Sequence, residues 1–336
     1  MGWKGTMRTL QAEYRRVERE SQRRQRELER EHTKLERMQE KERSVHAVRA
    51  YENHIEVLRT VHLDCGGVWD WEMIAGAQPP SEPTIADACE QEARRAVERY
   101  RPGLTDRLLN RVESRYARLE QAVAEAKKKD ERNHQVALRD YEARYQDWEA
   151  TSDLAARVLA GDPQSHIEVL EQTNPLTEVG EIGTSAYFQP IDSRAMEVTL
   201  RVHEDSVIPG DSISLLKSGK ASEKKMPKRR FNELYQDYIC GCALRVAREL
   251  FALLPLDWVV VHAMGNFLNT QTGHMEEEPL LSAQFPRESM ESLNFESLDP
   301  SDSIANFVHR MNFKPLKGFA PVDSLDPAVI RSVSQA

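Results

Sequence analysis

From Thr6 to Val61 the chain holds neither proline nor glycine. A run of that length without a backbone breaker predicts a single long helix, about 80 Å at 1.5 Å per residue. Its apolar residues fall at Met7, Leu10, Tyr14, Val17, Leu28, Leu35, Met38 and Val45, in steps of three, four or seven. Those steps fit the a and d positions of a heptad. Ser21, Arg24, Glu31 and Glu42 interrupt the seam, which resumes one residue out of phase at Val48, Ile55 and Leu58. So polar a stripe needs a partner or many i,i+4 ion pairs to persist.

A second unbroken pattern supplies one. It starts at Thr105, after Pro102-Gly103, and runs to about Ala160 through Leu109, Val112, Tyr116, Leu119, Val123 and Ala126. Asp130 and Asn133 break it before Ala137, Tyr141 and Trp148 resume. Two helices of similar length predict an antiparallel coiled-coil hairpin over residues 1–160, with a helical tip at about 62–104. The tip holds Cys65-Gly66-Gly67-Val68-Trp69-Asp70-Trp71, a Pro-rich spacer and a short helix from Thr84 to Tyr100. Trp69 and Trp71 beside a tight turn are expected to pack in the tip, or to bind a partner protein there.

After Gly161-Asp162-Pro163 the helical period is expected to end. Met196, Val198, Leu200 and Val202 alternate with Glu197, Thr199, Arg201 and His203, the pattern of a half-buried strand. Further strands are read at Ala186 to Pro190, Ile213 to Leu216, Trp258 to Ala263 and Leu280 to Phe285. Phe231 to Leu254 is apolar nearly all round and predicts a mostly buried central helix, and Ser301 to Asn312 a short one. Residues 161–336 therefore read as a compact α+β domain.

Charge separates these regions. The chain is 30% charged with a net charge of -9, yet residues 1–60 carry about four more basic than acidic groups. No run approaches the length and apolarity of a membrane span, and the charged start contains no signal-peptide core. Met1-Gly2 with Thr6 fits the loose myristoylation pattern, which is common by chance. Four cysteines make no disulfide framework, so a reducing cytoplasm is the expected location.

Within the acidic half, Lys217, Lys220, Lys224, Lys225, Lys228, Arg229 and Arg230 form a basic loop leading into the central helix. Phosphates of a nucleic acid would be drawn to it. No stacking aromatics are interleaved there. Gly219-Lys220 is not a phosphate loop, because Ser214 replaces its first glycine and Ala221 its hydroxyl residue. Cys240-Gly241-Cys242, two apart on a helix, point away from each other, and Gly241 invites close packing of another element.

Helix, three strands, helix, strand is similar in order to metal-dependent enzymes of the restriction-endonuclease type. Such enzymes hold magnesium with carboxylates on adjacent strands beside a lysine. The resemblance is one of strand order, and it implies Asp192 or Glu197 as a ligand. No Glu-x-Lys follows on an expected strand, and Glu223-Lys224-Lys225 falls in the basic loop. His274-Met275-Glu276 lacks the downstream Pro-Cys-x-x-Cys of a zinc deaminase. His262, Asn266, Glu197 and Glu276 mark where unseen chemistry would sit. No catalytic, cofactor or metal residue is assigned.

The leading expectation is a non-enzymatic scaffold whose rigid arm binds a protein partner or a second copy. Nucleic-acid association through residues 217–230, and an enzyme in the second domain, are the alternatives. No membrane partner is expected.

Overall fold

Alternating polarity turns the segment around Met196 into strand β2 (Ala195–Arg201), paired antiparallel with β1 (Ser185–Asp192). The computed structural model describes residues 34, 36, 38–175 and 185–328, the side chains of residues 105 and 106 excepted. Met7 to Leu28, Ser21, Arg24, Glu31, Leu35 and Gly2 lie outside the described residues. The fold is α+β, and its contacts divide it into two units: residues up to 68 with those from 170 on, and residues 69–169.

In the first unit, strand order is β1-β2-β5-β6-β7-β8, with β5 (Trp258–Leu268), β6 (Met275–Pro286), β7 (Val308–Lys314) and β8 (Gly318–Ala320). Neighbours are antiparallel except β2 and β5. A parallel pair needs a crossover, and helix α7 (Lys228–Leu253) provides it. It is buried through most of its length and packs on β5 and β6. Met196, Val198, Val259, Val261 and Phe285 line the apolar sheet face beneath it. Glu197, Thr199, His262 and Ser282 alternate onto the other face.

The long first helix, α1 (residues 38–60), belongs to this unit. Val48, Ile55, Leu58 and Val61 are buried, each contributing about 1.5–3 kcal/mol of transfer free energy. Gly241 of α7 is the reason the chain can come so near: a Cβ there would lie 2.6 Å from Val61 Cγ1. The close approach expected of Gly241 is therefore with the end of α1. Cys240 and Cys242 are buried beside it, and burial pushes the Cys242 thiol up to about 12.

In the second unit, α2 (Trp71–Ala75) and α3 (Ala88–Arg99) pack on α5 (Val112–Leu159), and the short α4 (Leu104–Leu108) precedes it. The two long helices thus fall in different units, and the expected division at residue 160 is not the one the contacts draw. Their thin seams do not encode which partner is met, because apolar burial is non-directional. The polar break at Asp130 has a function of its own. Its carboxylate, on α5, accepts the N–H groups of Cys89 (3.3 Å) and Glu90 (2.8 Å) at the start of α3. Those bonds, foremost that of Glu90, hold its pKa below the usual carboxylate range.

Several local expectations change. Gly161 adopts φ 74° and ends α5, but Asp162 restarts a helix, α6 (Pro163–Thr173), by accepting the N–H of Ser165 at 3.1 Å. Residues 217–230 are not a flexible loop. They span β4 (Ala221–Lys225), which pairs with β3 (Asp211–Leu215), and the first turn of α7. After α8 (Arg287–Glu291), the expected helix Ser301 to Asn312 splits into α9 (Pro300–Ser303), a 3-10 turn and β7. Glu276 to Glu278 lie at the start of β6.

Candidate functional site

Seven basic side chains gather on the β3–β4 hairpin and the helix it feeds. Lys217 and Lys220 sit at its turn, where Gly219 takes φ 81°. Lys220 meets Glu40 of α1 at 2.9 Å, and Arg229 meets Glu233 one turn along α7 at 2.8 Å. Both pairs are exposed and add little stability. Among the described residues, Lys217, Lys224, Lys225, Lys228 and Arg230 have no ion-pair partner. The first turn of α7 contains no acidic residue, and its N-cap is Pro227, with no side-chain cap bond. Lys228, Arg229 and Arg230 stand at this positive end of the helix dipole, where cations are unfavourable.

The Glu223-Lys224-Lys225 triplet lies on β4, not in a loop. Asp211 pairs with Lys225 and Ile213 with Glu223, so both carboxylates share a face of the hairpin with Lys225. Asp192 and Glu197, the carboxylates expected from strand order, lie in the six-stranded sheet instead. Among the described residues no three His, Cys, Asp or Glu side chains gather as a metal would require.

The tryptophans divide. Trp71 is 5% exposed and part of the core of the second unit, whereas Trp69, 41% exposed, leans on it with ring centroids 5.3 Å apart. Trp71 thus packs as expected of one reading, while Trp69 stays exposed. Nearby, Met73, Ile74 and Trp148 line a cavity of about 370 Å³, and Trp148 Nε1 donates to the Ala77 carbonyl. The exposed apolar surface is at the opposite end of α5. Leu104, Leu108 and Leu109 are 79%, 84% and 58% exposed, and Asn110 at φ 51° turns the chain into α5. Arg101, Arg107, Arg111 and Arg115 flank them in sequence, all exposed. The sequence signal was a leucine pair bracketed by Pro102-Gly103 and Asn110, which the heptad reading absorbed into a seam.

Of the residues read as unseen chemistry, two meet. His262 Nε2 lies 2.9 Å from Glu197 Oε1, and its Nδ1 lies 2.8 Å from Ser282 Oγ. Asn266 instead donates to Glu204, and Glu276 accepts from Asn269. Ser282 had no sequence signal. Only the β5–β6 register, which sets it opposite His262, makes it a partner.

Compared with protein-family models, with curated proteins and with solved structures, the chain matches none.

Proposed function

We propose that the protein associates with nucleic acid through the β3–β4 hairpin and the first turn of α7. One observation carries this: Lys228, Arg229 and Arg230 occupy the positive end of a 26-residue helix that has neither an acidic first turn nor a side-chain cap. A bound phosphate would reverse that unfavourable arrangement, taking up the free N–H groups and the cations together. The hairpin extends the same positive surface with Lys217, Lys224 and Lys225. Such contacts attract the backbone without reading bases. Neutralising Lys224, Lys225, Arg229 and Arg230 to Gln should abolish salt-sensitive binding to a fluorescent oligonucleotide. Unchanged affinity between low and moderate salt would refute the proposal.

A second reading, a scaffold that captures an acidic protein partner, is favoured by the three exposed leucines just before α5, among exposed arginines in the sequence. Leu104→Asp with Leu108→Asp would remove that partner and leave oligonucleotide binding intact. Both readings suit a reducing cytoplasm, since Cys65, Cys89, Cys240 and Cys242 are free thiols. No described helix is long and apolar enough to cross a membrane.

A further inference from the structure

On the sheet face turned away from α7, three adjacent strands carry one line of hydrogen bonds. Ser282 Oγ accepts the N–H of Leu325 at 2.9 Å and lies 2.8 Å from His262 Nδ1. The Glu197 carboxylate can only accept, so His262 Nε2 donates to its Oε1 at 2.9 Å. Ser282 and His262 are buried, and the line reaches the surface at Glu197. The line holds the Glu197 carboxylate in place.

A solvated glutamate needs no such support. Burying a serine and a histidine behind it is costly unless the carboxylate must be aimed. Register shows what it is aimed beside. Gln189 stands opposite Glu197 and Tyr187 opposite Thr199, all on this outer face. The Tyr187 ring is 67% exposed at mid-strand. It lines an open cavity of about 390 Å³ with Ser185, Ala186, Thr199 and Arg201, and Glu197 stands two residues along β2 on the same face. Arg201 is held there by Glu277 through bonds of 2.7 and 3.0 Å. An exposed aromatic on an open sheet, next to a fixed acceptor, is a stacking platform with one reading edge.

We infer that this shelf binds a guanine base of a single-stranded nucleic acid. The inference rests on the nucleic-acid reading above and names the base which that reading leaves open. Guanine alone presents two neighbouring donors, N1–H and the 2-amino group, which match the two oxygens of a carboxylate. Adenine and cytosine offer an amino donor beside an acceptor, and uracil one donor between two acceptors. Tyr187 supplies the stack, Glu197 the selection, and His262 with Ser282 the positioning.

The test titrates 5′-GMP against 5′-AMP, and single-stranded (UG)5 against (UA)5 RNA, with (TG)5 DNA as the deoxyribose arm. GMP should bind about tenfold more tightly than AMP, in line with one bidentate base contact. Glu197→Gln, which keeps the side-chain shape, should bring that ratio close to one while affinity for (UA)5 and its salt dependence persist. Tyr187→Ala should weaken both mononucleotides. Equal binding of GMP and AMP by the native chain, or a ratio unmoved by Glu197→Gln, overturns the shelf. Should the native chain bind neither RNA nor the DNA, the hairpin reading and the inference fall together, whereas oligonucleotide binding with equal GMP and AMP affinity overturns the shelf alone. The native ratio decides even where a variant fails to fold.

Discussion

Asp237, on α7, shows how far one residue can depart from its ordinary chemistry. Burial raises its pKa to about 6, with Asp299 and Asp302 adding to the rise and Ser301 and Arg59 opposing it. The folded value lies above the ordinary one, so ionisation works against the fold. Stability is therefore lost through this group as pH rises from about 4 to 6, and the loss is complete above 6. Asp237→Asn should raise the thermal midpoint by a few degrees at pH 7.5 and leave it unchanged near pH 4. Melting curves at the two pH values check this; an equal effect at both would show that titration has no part. Asp130 has the opposite sign. Its pKa is depressed by the N–H groups it caps, so its contribution is present above about pH 4 and lost as acid protonates it. Neither behaviour was legible in sequence, where Asp130 read as a fault in a seam. A polar residue at an apolar position says that something compensates it, but not what.

At the scale of elements, the crossing of α1 and α7 is decided at Gly241. A methyl group there would lie within 2.6 Å of Val61 Cγ1. Gly241→Ala should destabilise the protein by about 1–3 kcal/mol, since forcing atoms into a filled contact outweighs the roughly 1 kcal/mol gain in helix propensity. In a Val61→Ala background the clash is gone, and the same substitution should become neutral or stabilising. Denaturant midpoints of the four proteins of this cycle check the reversal. The glycine was legible as a place of close approach because a central helix seldom carries one without a packing reason. Which element approached was not, since nothing in Val61 names its partner. The hairpin β3–β4 was half legible: Ile213 to Leu216 showed as a strand, but Ala221 to Lys225, polar and charged, lacks alternation and is held by pairing alone.

For the whole molecule, the division into two units gives a thermal prediction. Each unit is compact by itself, one holding α7 and the sheet, the other α5 with α2 and α3. Calorimetry should resolve two transitions. Asp130→Ala should lower only the transition of the helical unit, and Gly241→Ala only the other. A single transition moved by both would show that the units unfold as one.

Sequence by itself determined the elements whose evidence is local. Long unbroken periodicity specified α5 and the described part of α1, alternation specified β2, and all-round apolarity specified the buried α7. Each signal lies within about two turns or one strand of the residue that carries it. Tertiary structure alone decided what those elements meet. It brought Val61 against Gly241 of α7, put the Asp130 carboxylate at the start of α3, and set Glu197, His262 and Ser282 in line across three strands. The physical reason is that burial has no direction and hydrogen-bond register has no local code. A stripe of leucine and valine states that it must be covered, and only the folded chain states by what.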